Sequence, residues 1–436
     1  MSHPLAAGEA ARRILAALVP QPPLRVPLDD ALGSVLAEPV CSPLDIPPWT
    51  NSAMDGYAAR AADVQGATPA TPASLRVVET LAAGQFPHRQ IGPGECARIF
   101  TGAPLPAGAD SVIRQEDTDL GTERVTIRSD RDAGVNVRFA GEDVRRGDTV
   151  LQAGDELTPA RLGVLASLAV AHPLVHRRPR VAILGSGDEI VDVDQPEEIL
   201  GGRKIASSNT HTLAALVRQA GGLPVNLGIA RDSRASIREH LSRAADCDLL
   251  VTSAGISVGE HDHLRGALEE MGMELGFWKL RMRPGAPVGF GMVGGVGEVG
   301  EVGGGGGGAG PGRLPWIGLP GNPVSTMVTF ELFVRPAIRR MMGHSLPFRR
   351  TVPVRVAEPL KVGATLQHFL RAVVAPDGDG ALEARLTGPQ GSGILTSMVR
   401  ANALLIIPEG QPSTPAGATA SALVLDDARH VVAAPW

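Results

Sequence analysis

Cysteine is scarce in this chain. Its 436 residues hold three, Cys41, Cys96 and Cys247, far apart and odd in number. That excludes a disulfide scaffold, matches no zinc spacing, and fits incidental or buried thiols in a reducing, cytoplasmic compartment. Aromatic residues are equally thin at 3%, with a single tyrosine, and Lys plus Arg (41) fall short of Asp plus Glu (46). A nucleic-acid groove needs a basic field and stacking rings, so nucleic acid is not an expected partner. Long apolar runs are missing as well. The N-terminal stretch GEAARRILAALVP is too short and too polar to cross a bilayer, and no small-residue cleavage site follows it. No Walker A sequence and no G-x-S-x-G elbow occurs, which removes the commonest nucleotide and hydrolase signatures.

What the chain does have is glycine (53) and proline (36), which punctuate several stretches of different character. Its length suits about two to four domains of roughly 100–200 residues. Residues 6–18 place Ile14, Leu15 and Leu18 on one face of an amphipathic helix. Between about 74 and 157 the pattern is short strands separated by turn residues (LRVVETL, ECARIFTG, DSVIRQED, ERVTIRS, NVRFAGEDV), a β-rich module. From 179 apolar strands alternate with helices, as in PRVAILG, NTHTLAALVRQAGG, LPVNLGIA and DLLVTSA. That alternation predicts a mostly parallel sheet covered on both faces, with ligands beyond the carboxyl ends of its strands. Short strands return after 351. Residues 291–313 contain G-x-G-x-x-G at Gly295, Gly297 and Gly300, yet no helix follows and the run dissolves into six glycines. They read as a flexible insertion in a hairpin.

Three glycine loops at strand ends carry the candidate chemistry. LGSGDEI brings Ser186, Asp188 and Glu189; TSAGISVGEHDH brings Gly255, Ser257, Gly259 and Asp262; LPGNPVS brings Gly321, Asn322 and Pro323, with Asn322 suited to cap a helix and Pro323 to start one. Turn glycines and ordinary caps explain any one of them. All three lie in one α/β domain at strand C-termini, and so on one edge of its sheet. Glycine loops opening helices suit phosphate, while Glu189 and Asp262 would repel it; a Mg²⁺ ion reconciles the two. His261 and His263 point to different faces of a helix and are poor ligands together. In FWKLRMRPGAP, alternation puts Lys279, Arg281 and Arg283 on one face of a strand, a cationic strip for oxyanions. Outside this domain, NSAMDGYA carries Asp55 before Gly56, where a turn is the plain alternative; RIFTGAPLPAGAD carries Thr101, and AGEDVRRGD carries Asp143.

Taken in order, NSAMDGYA, RIFTGAPLPAGAD, NVRFAGEDVRRGD, GSGDEI, TSAGISVGEHD, RMRPGAPVGFG and LPGNPVS resemble the molybdopterin molybdenumtransferases, the bacterial MoeA proteins and the E domain of gephyrin. The resemblance runs over nearly the whole chain and leaves out the glycine insertion. It implies a multidomain α/β plus β fold. A central three-layer α/β/α molybdopterin-binding domain would span 178–345, with a β-rich second domain at 49–140. An elongated N-terminal dimerisation region would take 1–48 and 141–177, and a C-terminal β domain 346–436. It implies an elongated homodimer that inserts molybdate into adenylated molybdopterin with Mg²⁺, yielding molybdenum cofactor and AMP. Molybdopterin adenylyltransferase and downstream cofactor carriers would be its protein partners.

Carried over by motif, Asp55, Thr101, Asp143, Asp232, Lys279 and Arg283 take catalytic roles, and Glu189 and Asp262 hold the metal. Ser186, Gly255, Ser257, Gly259, Gly321, Asn322 and Pro323 bind substrate. Four positions depart from the family pattern, which has Thr at Ser186, Gly at Ala254, and Lys at Arg283 and Ala286. Ala254 and Ala286 motivate an alternative, a non-catalytic pterin- or cofactor-binding paralogue. A third reading, an adenylating enzyme, is disfavoured by the long flanking β domains.

Overall fold

A computed structural model describes residues 4–255, 263–294 and 313–426. Ser257, Gly259, Asp262, His261 and most of the glycine insertion lie outside them. Among the described residues no helix is long and apolar enough to cross a membrane. The chain divides into two compact units. One comprises Glu38–Ala153 with Ala160–Ala171; the other comprises Met1–Ala37, Gly154–Pro159 and His172–Trp436.

In the smaller unit five strands form one sheet: β1 (Gly56–Ala59), β2 (Ala73–Leu81), β3 (Glu95–Ile99), β4 (Ser111–Arg114) and β5 (Arg124–Ile127). Their order is β4-β1-β3-β2-β5. The DGYA segment is thus no turn. β1 lies between β3 and β4, antiparallel to both, with every residue buried. Gly56 is required here because a Cβ would sit 1.9 Å from the Ile113 carbonyl oxygen. Tyr57 and Ala59 pack into one apolar cluster and Ala58 into another, so the strand is sandwiched. In the same unit Val40–Cys41 pairs antiparallel with Thr149–Leu151, and Asn51–Ser52 with Val137–Arg138.

The larger unit holds a six-stranded sheet of β6 (Arg180–Ser186), β7 (Leu223–Ala230), β8 (Leu249–Ser253), β9 (Glu274–Phe277), β10 (Gly289–Gly294) and β11 (Arg313–Leu319). Its order is β7-β6-β8-β11-β10-β9. The first four strands are parallel and the last two antiparallel. The β10–β11 ladder ends with Gly294 opposite Arg313, so the glycine insertion joins a hairpin.

Alternation along the parallel strands explains the layers. Val181, Ile183, Leu249, Val251 and Ile317 face α1 (Ala7–Ala16), α2 (Ser208–Gln219) and the segment that runs from Pro323 to Met341. Ala182, Leu184, Leu250 and Trp316 face α3 (Arg234–Leu241) and α4 (His263–Glu270). Each fully buried Leu, Ile or Val contributes about 1.5–3 kcal/mol, and both faces use them, which is why these strands read as unbroken apolar runs. Trp316 keeps its indole N–H satisfied by donating to Thr252 Oγ1 at 3.0 Å. α1 joins this core through Ala10 and Ile14.

Beyond the sheet, β12 (Thr351–Val356), β13 (Gln367–Pro376), β14 (Leu382–Leu386), β15 (Ala403–Ile407) and β16 (Thr419–Val424) close on themselves in the cycle β13-β14-β12-β16-β15. The arrangement is the expected one: a three-layer α/β/α domain, a β-rich module and a C-terminal β domain, here a small barrel.

Candidate functional site

The parallel strands β6, β8 and β11 end side by side, and each runs into a glycine-containing loop. Where they end lies a cavity of about 580 Å³, lined among others by Ser186, Glu189, Ser207, Asn209, Ser253, Ala254, Gly321, Asn322, Pro323 and Gly393. It sits where ligands bind in open α/β sheets, beyond the strand C-termini. Ser186, Glu189, Gly321, Asn322 and Pro323, singled out from the sequence, thus line one cavity.

β6 delivers Ser186, buried, and three residues later the exposed Glu189. β8 delivers Ser253 and then two residues in left-handed conformation, Ala254 (φ 76°) and Gly255 (φ 72°). Gly255 must be glycine: a Cβ there would lie 2.9 Å from the Leu264 Cβ and 3.2 Å from the Ser186 hydroxyl. Ala254 holds a conformation that costs an L-residue about 1–2 kcal/mol. β11 delivers Pro320 and Gly321, and Pro323 begins the following helix, α5 (Pro323–Thr329). Asn322 occupies the capping position, but its side chain makes no capping bond, contrary to the sequence expectation. The Thr326 hydroxyl donates to the Pro320 and Asn322 carbonyls at 2.6 and 3.0 Å, tying the first turn of the helix back to the loop. The Asn322 side chain is left to line the cavity.

Two contributors were missed from sequence. Asn209, in the first turn of α2, donates through Nδ2 to Ser253 Oγ and to the Gly321 carbonyl, both at 2.7 Å. Its only trace in the sequence is the polar start of an amphipathic helix. Gly393 comes from the C-terminal β domain, where the Ser392 carbonyl accepts the Val324 N–H at 3.1 Å. Fully buried Arg371 anchors that loop, donating to the Gln390 and Gly391 carbonyls at 3.1 and 2.9 Å and to Ser397 Oγ at 3.0 Å.

The remaining sequence candidates fall elsewhere. The Asp232 N–H donates to Asp188 Oδ1 at 3.2 Å, one strand over from the cavity lining. Lys279 and Arg283 are exposed and hold no ion pair among the described residues, whereas Arg281 pairs with Glu409 at 3.1 Å. The continuous strand expected for them is not formed. β9 ends at Phe277; Leu280 then makes an isolated parallel bridge with Leu5, and Met282–Arg283 pairs with β13. The Leu280 N–H donates to the Ala286 carbonyl at 2.9 Å, closing a loop that contains Arg281 and Arg283. Exposure still alternates, since Leu280 and Met282 are buried between the three cations.

In the smaller unit Asp55 ends the loop before β1, and Thr101 follows β3. The Thr101 N–H and hydroxyl both donate to Asp55 Oδ1 at 2.8 Å. The backbone N–H first, then the hydroxyl, hold the Asp55 carboxyl below the usual aspartate range. Its other oxygen has no partner among the described residues. Asp143 is exposed on a separate loop, tied through its N–H to the Ile46 carbonyl, and no hydrogen bond joins it to Asp55.

Among the described residues no three His, Cys, Asp or Glu side chains cluster as a metal site. The cavity offers one carboxylate, Glu189, with the hydroxyls of Ser186 and Ser253 nearby. Mg²⁺ retains several waters and takes one or two carboxylates plus phosphate oxygens, so this donor set fits it with the ligand's phosphates, Asp262 lying outside the described residues.

Comparison with known proteins agrees along the chain. Three family profiles match: the MoeA N-terminal region (domains I and II) over residues 5–169, the probable molybdopterin binding domain over 182–340, and the MoeA C-terminal region (domain IV) over 353–425. Molybdopterin molybdenumtransferase 2 of Mycobacterium tuberculosis is 38% identical over 401 residues, 91% of this chain and 93% of that protein. The molybdopterin molybdenumtransferase of a Nostoc species is 36% identical over 87% of this chain and 84% of its own. The crystal structure of the molybdopterin biosynthesis moeA protein from Pyrococcus horikoshii superposes with a TM-score of 0.78 at 27% identity, over 96% of this chain and 99% of that one.

Proposed function

This chain belongs to the MoeA family and is a molybdopterin molybdenumtransferase of molybdenum cofactor biosynthesis, and we propose that it inserts molybdate into adenylated molybdopterin with Mg²⁺, releasing AMP and forming molybdenum cofactor. The observation that carries this reading is the cavity in the molybdopterin-binding domain, where three strand ends present hydroxyls, glycine backbone and a single carboxylate to one space. Such a lining binds a polar, phosphate-bearing heterocycle and leaves room for a cation beside it.

Within that reading, Ser186, Gly255 and the Gly321–Pro323 loop bind the pterin nucleotide, as would Ser257 and Gly259, which lie outside the described residues. Glu189 and Asp262 would hold Mg²⁺, which neutralises phosphate charge while bound. Lys279 and Arg283 draw in molybdate, since both are cations without a carboxylate partner among the described residues. Asp55 is ionised and keeps one carboxylate oxygen without a partner among the described residues; with Thr101 it would position substrate from the facing subunit of the homodimer, and Asp143 and Asp232 take the catalytic roles the resemblance gives them. The active form is a homodimer in the cytoplasm, receiving its substrate from the adenylyltransferase and passing cofactor to carrier proteins.

The test is to mix purified protein with adenylated molybdopterin, Mg²⁺ and molybdate. AMP release in step with cofactor formation is expected. Pterin binding without molybdate-dependent AMP release would favour a non-catalytic binding protein, and ATP consumption with metal-free molybdopterin would favour an adenylating enzyme. Asp262→Asn tests the metal role, and a wild-type rate in that variant would remove it.

A further inference from the structure

We propose that Ala254 is a specificity-determining wall of the cavity. Its methyl would seat the ring of the ligand, and Asn209 would hold that wall shut. The inference rests on the reading of the cavity as the pterin site.

Ala254 is one of four non-glycine residues with positive φ among the described residues, and the only one of them on the cavity lining. Three hydrogen bonds fix it there. The Ala254 N–H donates to the Leu319 carbonyl at 3.1 Å, tying the end of β8 to the end of β11. Asn209 Nδ2 donates to Ser253 Oγ on one side and to the Gly321 carbonyl on the other, both at 2.7 Å. The spacing between the two strand ends is therefore set by the side chain of a third element.

That spacing has room for one methyl group. A Cβ built on Gly321 would lie 3.2 Å from the Ala254 Cβ, closer than two methyl carbons normally pack. Gly321 has no positive φ, so its backbone would otherwise accept alanine. The lining mixes Ser186, Ser207 and Asn322 with the apolar side chains of Ile190, Ile205 and Ala206. The Ala254 methyl adds apolar surface to that lining at the ends of β8 and β11. It suits the flat face of a heterocycle and offers nothing to a bare phosphate or molybdate.

The experiment uses the full chain in four forms: wild type, Ala254→Gly, Gly321→Ala, and both together. Metal-free molybdopterin is titrated by fluorescence, and each form is melted without ligand. Ala254→Gly is expected to weaken pterin binding about threefold to fourfold, the worth of one buried methyl group. In turnover it raises KM and leaves kcat unchanged, as loss of uniform binding does. Gly321→Ala alone lowers the melting temperature, and adding Ala254→Gly restores it. Equal affinity of wild type and Ala254→Gly, or a double variant no more stable than Gly321→Ala, overturns the proposal. A wild-type chain that binds no pterin overturns the cavity reading and this proposal together, an outcome distinct from one in which wild type binds and the methyl is irrelevant.

Discussion

Strand ends in the two sheets present their candidate residues in opposite ways. In the α/β sheet they sit on loops whose backbone is forced: left-handed at Ala254 and Gly255, started by proline at 323, and bridged by Asn209. In the five-stranded sheet the Asp55–Thr101 pair follows directly from register, because β1 and β3 are paired from Gly56 opposite Ile99 and the two residues flank that pair. The first site supplies many weak polar contacts and one exposed carboxylate, which suits holding a ligand. The second supplies a fixed charge with one oxygen free, which suits acting on one.

The sharpest way to break this division is Asp55→Asn. Turnover is expected to fall about 10²–10⁴-fold, while metal-free molybdopterin affinity stays within about twofold of wild type. A loss of affinity as large as the loss of rate would merge the two roles.

Next in size is the support of the smaller unit. Asp132 is 1% exposed and accepts from the Arg114 backbone N–H at 3.1 Å, Nε at 2.8 Å and Nη2 at 2.9 Å. Burial pushes its carboxyl up, but the Arg114 guanidinium and N–H outweigh that and leave it below the usual range. Asp132→Ala strands a half-buried arginine and is expected to cost about 2 kcal/mol, less than a fully buried pair would. Calorimetry should show the loss, and pterin titration of the folded protein should not.

Asn209→Ala sharpens the other side. It removes two bonds between strand ends and is expected to weaken pterin binding up to about thirtyfold, at roughly 1 kcal/mol net for each. Unchanged affinity would mean the loops hold themselves.

The smallest effect, over one pH unit, comes from His344. Burial first, then the charges of Arg339 and Arg335, push it down to about 3 from 6.5. Below pH 6.5 the unfolded chain takes up a proton that the folded one refuses. Stability therefore falls as pH drops from about 6.5 toward 3, by at most about 1.4 kcal/mol per unit. His344→Gln should flatten that part of the acid limb in urea titrations.

Much of the α/β layer was legible because strands buried on both faces are apolar runs, and a helix after a glycine loop repeats the same signature. LGSGDEI and LPGNPVS could be found because backbone demands leave glycine and proline behind. β1 was not legible: Asp-Gly is a turn dipeptide nearly everywhere, and only the Ile113 carbonyl, far away in sequence, makes Gly56 a strand residue. Asn209 was hidden for a different reason. One polar residue at the start of an amphipathic helix looks like its solvated face until the strand ends are brought to it. The alternation at Lys279, Arg281 and Arg283 marked backbone with Leu280 and Met282 buried between the cations, but not one continuous strand, since Leu280 bridges Leu5 and Met282–Arg283 pairs with β13.

The loop around Gly393 carries one more implication. A wall of the cavity is donated by the C-terminal barrel and anchored inside it by Arg371. The barrel is therefore not a detachable appendage. A chain cut before β12 would lose part of its ligand boundary even if the α/β domain folded alone. Recombination that exchanged C-terminal barrels between relatives would transfer a piece of ligand preference with them, so the two segments are under pressure to be inherited together.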